Sequence, residues 1–209
     1  MSNRIAPYTV LLSVLLLAAC TKGTKITKVS HEKRPAEAPY SRVLIVGVTP
    51  NEGLRWRWER LMASTLEDRG ITAWASVKEM GYDTPLNRDN VVVAVRKTGA
   101  DAVLVSRLIR QDVAARGVDA RKEAKIRRRD EYIFDFFRYD YDEVEVPSYT
   151  LLTSTVEINT DLYEATEGRL IYSLNSITYQ KQTEWEVLDE VTIAITKRLG
   201  KDKMARPRS

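Results

Sequence analysis

The chain has 209 residues and a hydrophobic fraction of 44%, enough to build one compact domain with a real core. Its formal charge of +4 is too small an imbalance to argue for a nucleic-acid partner. One histidine, His31, and one cysteine, Cys20, leave no internal disulfide and no cysteine metal site, and they nearly exclude histidine catalysis or a multi-histidine metal centre. No cofactor or metal is expected.

Arg4, the apolar run Val10–Leu17 and the small residues before Cys20 have the shape of a secretory signal over residues 1–19. The run is about half the ~20 residues that a spanning helix needs, so this segment targets the chain and is then removed. Leu17-Ala18-Ala19-Cys20 resembles the processing site of bacterial lipoproteins. That resemblance implies acylation of Cys20 on sulfur and on its new amino terminus, and two or more acyl chains anchor stably where one does not. The alternative is an ordinary signal peptide in which Cys20 stands by chance. Thr21 follows the cysteine, where the resemblance would associate Asp with inner-membrane retention. An outer-membrane anchor with the domain on the periplasmic face is therefore expected.

Residues 20–41 carry Lys22, Lys25, Lys28, Lys33 and Arg34 without apolar periodicity, and read as a flexible tether. It is either solvated or in contact with anionic headgroups. Residues 42–200 form the single folded domain. Val43–Val48 reads as a strand buried on both faces. Leu54–Arg69 reads as a helix with Leu54, Trp58, Leu61, Met62 and Thr65 inward, stopped by Gly70. A short strand, Ile71–Ser76, follows. A helix over Asn90–Thr98, capped by Asn87 or Asp89, turns Val91, Val92 and Val95 inward. Asp101–Ile109 is a second buried strand. Leu152–Leu162 alternates with period two and returns through the turn at Ala165–Gly168 as Arg169–Tyr179. Glu184–Leu199 closes the domain as a helix with Trp185, Leu188, Val191, Thr192, Ile195 and Leu199 inward. Residues 201–209 are a basic tail.

The order is β-α-β-α-β-(insertion)-β-β-α: an α/β (or α+β) fold, a mixed three-layer-like sheet of about five strands with three main helices. The insertion, 112–148, stands out. A basic block containing Arg127 and Arg128 precedes an aromatic and acidic block with Tyr132, Phe134, Phe136, Phe137, Tyr139 and Tyr141. Either it docks a partner through its aromatics, or they enter a membrane interface or stack on sugars, or they pack back onto the sheet. Trp56, among Arg55, Arg57 and Arg60 and away from the core stripe, is a second contact candidate; stacking on an arginine or lying beneath the long loop are the other options.

No nucleophile elbow, Walker loop or His-Glu-x-x-His occurs. The carboxylate pairs Asp140/Asp142 and Glu157/Asp161 read as solvated or salt-bridged groups, and Ser106 and Arg107 at a strand end have no general base in view. An enzyme is not expected.

Arg42–Val48, the Arg55…Glu59…Leu66…Gly70 pattern, Gly99–Leu108 and Leu162–Ser173 together look like a group of uncharacterised bacterial lipoproteins. The layout is also similar to the small α/β domain of Tol-type periplasmic proteins, curli-secretion lipoproteins and lipoprotein activators of cell-wall synthases. The resemblance implies a lipid-anchored binding or assembly module, non-catalytic, whose partner is another envelope protein or a second copy. A subunit of an oligomeric export assembly and a glycan-binding or glycan-acting protein are the alternatives.

Overall fold

The computed structural model describes residues 23–31, 39–126 and 141–207. The elements run β1 (Thr24–His31), β2 (Arg42–Val48), α1 (Glu52–Glu67), β3 (Thr72–Ala75), α2 (Ser76–Met80), α3 (Arg88–Thr98), β4 (Ala102–Val118), β5 (Arg121–Ile126), β6 (Tyr141–Val146), β7 (Tyr149–Glu164), β8 (Leu170–Lys181) and α4 (Glu184–Lys201). Six strands form a mixed sheet in the order β1-β8-β7-β4-β2-β3, and β5 and β6 pair separately. The α/β class and mixed sheet match the sequence reading, with one more strand in the sheet and one more short helix.

β2 lies parallel to both β3 and β4, while β7, β8 and β1 add on antiparallel. Val43 and Ile45 of β2 face α1 and α4 in the larger core; Leu44 and Val46 face the opposite layer, where Ala94 of α3 is buried. Helices on both faces make a three-layer arrangement, and this is why β2 reads as an unbroken apolar run rather than an alternating one. Asn51 caps α1, its side chain accepting from Leu54 N at 2.9 Å. Asn87 caps α3, and Gly99, at φ 65°, ends it in the left-handed conformation that favours glycine.

Four features depart from the sequence reading. Within the stretch read as a tether, Thr24–His31 forms the edge strand β1, antiparallel to β8. Its register slips between Ile26 and Lys28, and this bulge lets Ile26 and Val29, three positions apart, both pack against the core. Val92 is exposed rather than inward, because α3 approaches the sheet through Ala94 with Val91 and Val95 beside it. Trp185 is 59% exposed, since it sits in the first turn of α4, where the apolar stripe runs past the core. β4 does not stop at Ile109 but continues to Val118, and β7 starts at Tyr149, so the ends of the insertion 112–148 belong to the sheet's own strands.

No described helix is long and apolar enough to cross a membrane.

Candidate functional site: a cleft at the foot of a β-ribbon

At the carboxyl end of β2, where it lies beside the middle of β4, the sheet carries a cleft with a cavity volume of about 160 Å³. Ligand crevices in open α/β sheets form at this end of the parallel strands. Leu54 and Trp58 of α1, Val187 and Leu188 of α4, and Val156 and Ile158 of β7 supply its apolar wall. Thr183 and Glu184, at the start of α4, lie on its rim. Thr183 caps that helix reciprocally: its hydroxyl accepts from Glu186 N at 3.2 Å, and the Glu186 carboxylate accepts from Thr183 N at 3.2 Å and Gln182 N at 3.0 Å. Those backbone donors hold the Glu186 pKa below the usual carboxylate range. The rim carboxylate of Glu184 is paired with Arg57 Nη2 at 2.8 Å.

Beneath the cleft floor lies a buried ionic network that the sequence did not reveal. Glu59, fully buried, accepts from Gly47 N at 2.9 Å, Arg55 Nε at 2.9 Å, Ser76 Oγ at 2.9 Å and Val77 N at 2.7 Å. Arg55 also donates to Ser76 Oγ at 3.0 Å. Arg55 therefore faces inward, correcting its assignment to an outward arginine cluster around Trp56. Charges survive such burial only when paired and hydrogen-bonded, as they are here. The network ties the end of β2 to the start of α2. A Cβ at Gly47 would meet Trp58 Cδ1 at 3.1 Å, so a side chain there would press on the cleft wall.

Trp56 is engaged within its own domain. Arg60 stacks on its ring with Cζ 4.4 Å from the centroid, and its indole N–H donates to the Tyr82 hydroxyl. Of the other sequence candidates, Cys20, Arg127, Arg128, Tyr132, Phe134, Phe136, Phe137 and Tyr139 lie outside the described residues. Tyr141 starts β6, its backbone paired with Ile126 of β5. The candidates Ser106 and Arg107 separate onto opposite sheet faces. Ser106 is buried and hydrogen-bonds Thr160 at 3.1 Å. Arg107 pairs with Asp161 at 2.5 Å, in a cluster with Tyr163 and Ser173. Hydrogen bonds to Tyr163 and Asp161 raise the Arg107 pKa above its ordinary value. Among the described residues, no group of three or more His, Cys, Asp or Glu side chains is placed to hold a metal.

Beyond the cleft, β4 and β7 leave the domain as a two-stranded ribbon paired out to Val118 and Tyr149. β4 is buried or half-buried from Ala102 to Arg107 and exposed from Leu108 to Gly117. A bulge between Leu108 and Arg110 changes the phase of the strand. Past it, Gln111, Val113, Ala115 and Gly117 stand opposite Val156, Ser154, Leu152 and Thr150 on the cleft side. Arg110, Asp112 and Arg116, with Glu157 on β7, occupy the other side. All four charged residues of this stretch share one face, while the cleft-side face carries none, leaving Val113 61% and Leu152 56% exposed.

No family profile and no curated protein matches the chain. Among solved structures, PelC from Paraburkholderia phytofirmans, a dodecamer, is similar at a TM-score of 0.46 with 16% identity, over 88% of this chain and 100% of that one. Lipoprotein GNA1162 from Neisseria meningitidis has a TM-score of 0.38 and 15% identity, over 77% of this chain and 99% of that one. A PDZ domain protein from Parabacteroides distasonis has a TM-score of 0.38 and 8% identity, over 96% of this chain and 41% of that one. All three scores lie below 0.5, so no property of those proteins is carried to this chain.

Proposed function

We propose that this chain is a lipid-anchored binding or assembly module of the bacterial envelope, held to the outer membrane through Cys20 and facing the periplasm without catalysing a reaction. The observation that carries the binding role is the ribbon. An antiparallel pair extends beyond the packed layers, with large apolar side chains open on one face and charged ones, among them the Arg110–Asp112 ion pair, on the other. Such a surface costs solubility and contributes nothing to the core, which supports a role in contact with something else. The anchor is supported by Leu17–Cys20 and by the lysines that follow. Polar groups around the cleft are already engaged, Glu59 by four donors and Glu184 by Arg57, and across the sheet Asp161 is held by Arg107 and Ser173. None is left poised as a general acid or base, which favours recognition over chemistry.

The test has two parts. Cys20→Ser should move the protein from the membrane fraction to the soluble periplasmic fraction, and the mature amino-terminal peptide of the unaltered chain should carry acyl mass. A photoreactive residue at Phe136 should yield one heterologous protein adduct in cells. A soluble, unacylated native chain would overturn the anchor, and absence of any protein adduct would overturn the adaptor role.

A further inference from the structure

The geometry points to a membrane-facing side of this domain: the uncharged face of the β4–β7 ribbon lies along the bilayer surface, beside the acyl anchor. This rests on the anchored reading of Cys20 and adds the orientation and the contact surface.

The argument begins with register. Thr24 pairs with Thr178, Thr178 with Val156, and Val156 with Gln111. The first residue of β1 thus stands in the row where the ribbon leaves the domain. Cys20 precedes Thr24 by four residues, which at full extension reach at most ~14 Å. The anchor therefore draws the bilayer to the ribbon end of the molecule, not to the opposite end where β2 and β4 begin. Gly23, just before β1, lies against α4: a Cβ there would stand 3.9 Å from Glu190 Oε2. The cleft-side face of the ribbon looks to that same side.

From Gln111 to Val118 the ribbon runs on for roughly 24 Å at ~3.4 Å per residue, further than the anchor allows the membrane to recede. An upright ribbon would carry Arg116 and the two unpaired strand edges of the ribbon's far end into hydrocarbon, where each unsatisfied group is costly. Lying flat removes that conflict. Val113, Ala115 and Leu152 then meet the acyl boundary, while the charged face stays in water, open to a protein partner. This is the ribbon counterpart of an interfacial amphipathic helix. Lys25 and Lys28 of β1, in the rows of Glu157 and Asn159, stand on the charged face and stay in water with it.

The experiment places a photoreactive residue at Val113 or Leu152, and at the adjacent opposite-face positions Ala114 or Thr153. The full acylated chain is reconstituted in vesicles of phosphatidylethanolamine and phosphatidylglycerol, and adducts are identified by mass. Phospholipid adducts at 113 and 152 should exceed those at 114 and 153 by about fivefold or more. Equal yields on the two faces, protein adducts in place of lipid at 113, or no adduct at either would overturn the proposal. Acyl mass on the amino-terminal peptide is read in the same spectra. Lipid adducts at 113 on a chain without acyl groups would support the ribbon's contact while removing the anchor, so the two failures are distinct.

Discussion

β4 contains two regions of opposite character within one strand. From Ala102 to Ser106 it is clamped between helical layers, with Ala102 and Leu104 fully buried and parallel β2 alongside. From Arg110 to Val118 it has only β7 for a neighbour and no layer on either face. Backbone pairing is continuous through both, apart from the bulge at Ile109, so hydrogen bonding does not distinguish them. Burial does. The inner half gains from apolar area removed from water at about 25 cal/mol per Å², whereas the outer half has almost none to gain. Strand pairing alone is marginal in water, so an extended ribbon of this kind is held by its root and shaped for its contacts. Substitutions should accordingly divide at the bulge: large stability effects below it, small ones above it.

The largest effect is expected at Glu59. Glu59→Ala leaves Arg55 buried without its partner and removes the acceptor for Gly47 N and Val77 N. Breaking a buried pair from one side costs about 3–5 kcal/mol, read as a lowered midpoint in urea. A loss below ~1 kcal/mol would mean that water reaches the network beneath the cleft floor.

Tyr172 comes next. It is 1% exposed and its hydroxyl donates to Asp202 Oδ2 at 2.9 Å, while Arg198 Nε holds the same oxygen at 2.7 Å. Burial, and then Asp202, push the phenol pKa well above its usual value. The folded state therefore holds this proton more tightly than the unfolded chain does. Its contribution is complete below about pH 10, the unfolded phenol's range. Above that it is lost as pH rises through the raised folded value, with a slope of at most ~1.4 kcal/mol per pH unit. Tyr172→Phe should cost about 1.5–3 kcal/mol at neutral pH, the worth of a hydrogen bond to a charged group, and should lack the alkaline slope. Equal slopes in the two proteins would place the titration elsewhere.

Thr183→Ala removes one half of the α4 capping box at the cleft rim and should cost about 1 kcal/mol. The other half is pH-dependent. Because the folded Glu186 pKa is lowered, its contribution is present above the ordinary Glu range and fades as pH falls through the lowered value. Glu186→Gln should flatten that acid limb, and an unchanged limb would assign it to other carboxylates.

What the sequence made legible follows the same division. β2, α1, α3, the root of β4, the β7–β8 hairpin and α4 each bury a face, and burial writes periodicity into sequence. β1 was missed because the bulge at Thr27 puts Ile26 and Val29 out of period-two phase, so a half-buried strand reads as polar linker. The ribbon was missed in part for the same reason. Val103 and Val105 face the α3 layer, yet Val113 faces the cleft side, since the bulge shifts parity between them. The Arg55–Glu59 network was illegible for a different reason: an i,i+4 ion pair is the usual pattern of a solvated helix face. Only the three-dimensional closeness of Gly47, Ser76 and Val77 shows that both charges are inside.

The smallest effects on stability are expected on the ribbon, and they sharpen the comparison most. Val113→Thr keeps the β-branched shape and adds a hydroxyl at a position 61% exposed, so the midpoint in urea should move by no more than the equivalent of about 0.5 kcal/mol. A hydroxyl buried without a partner would cost roughly 1–3 kcal/mol instead. A loss of that size in the detergent-free, unanchored chain would show that the uncharged face is already covered in solution, by a second copy or by the chain's own insertion. A negligible loss leaves the face open in water. The apolar character of Val113 and Leu152 then has no folding reason to exist, and contact with a surface outside the domain is what remains to explain it.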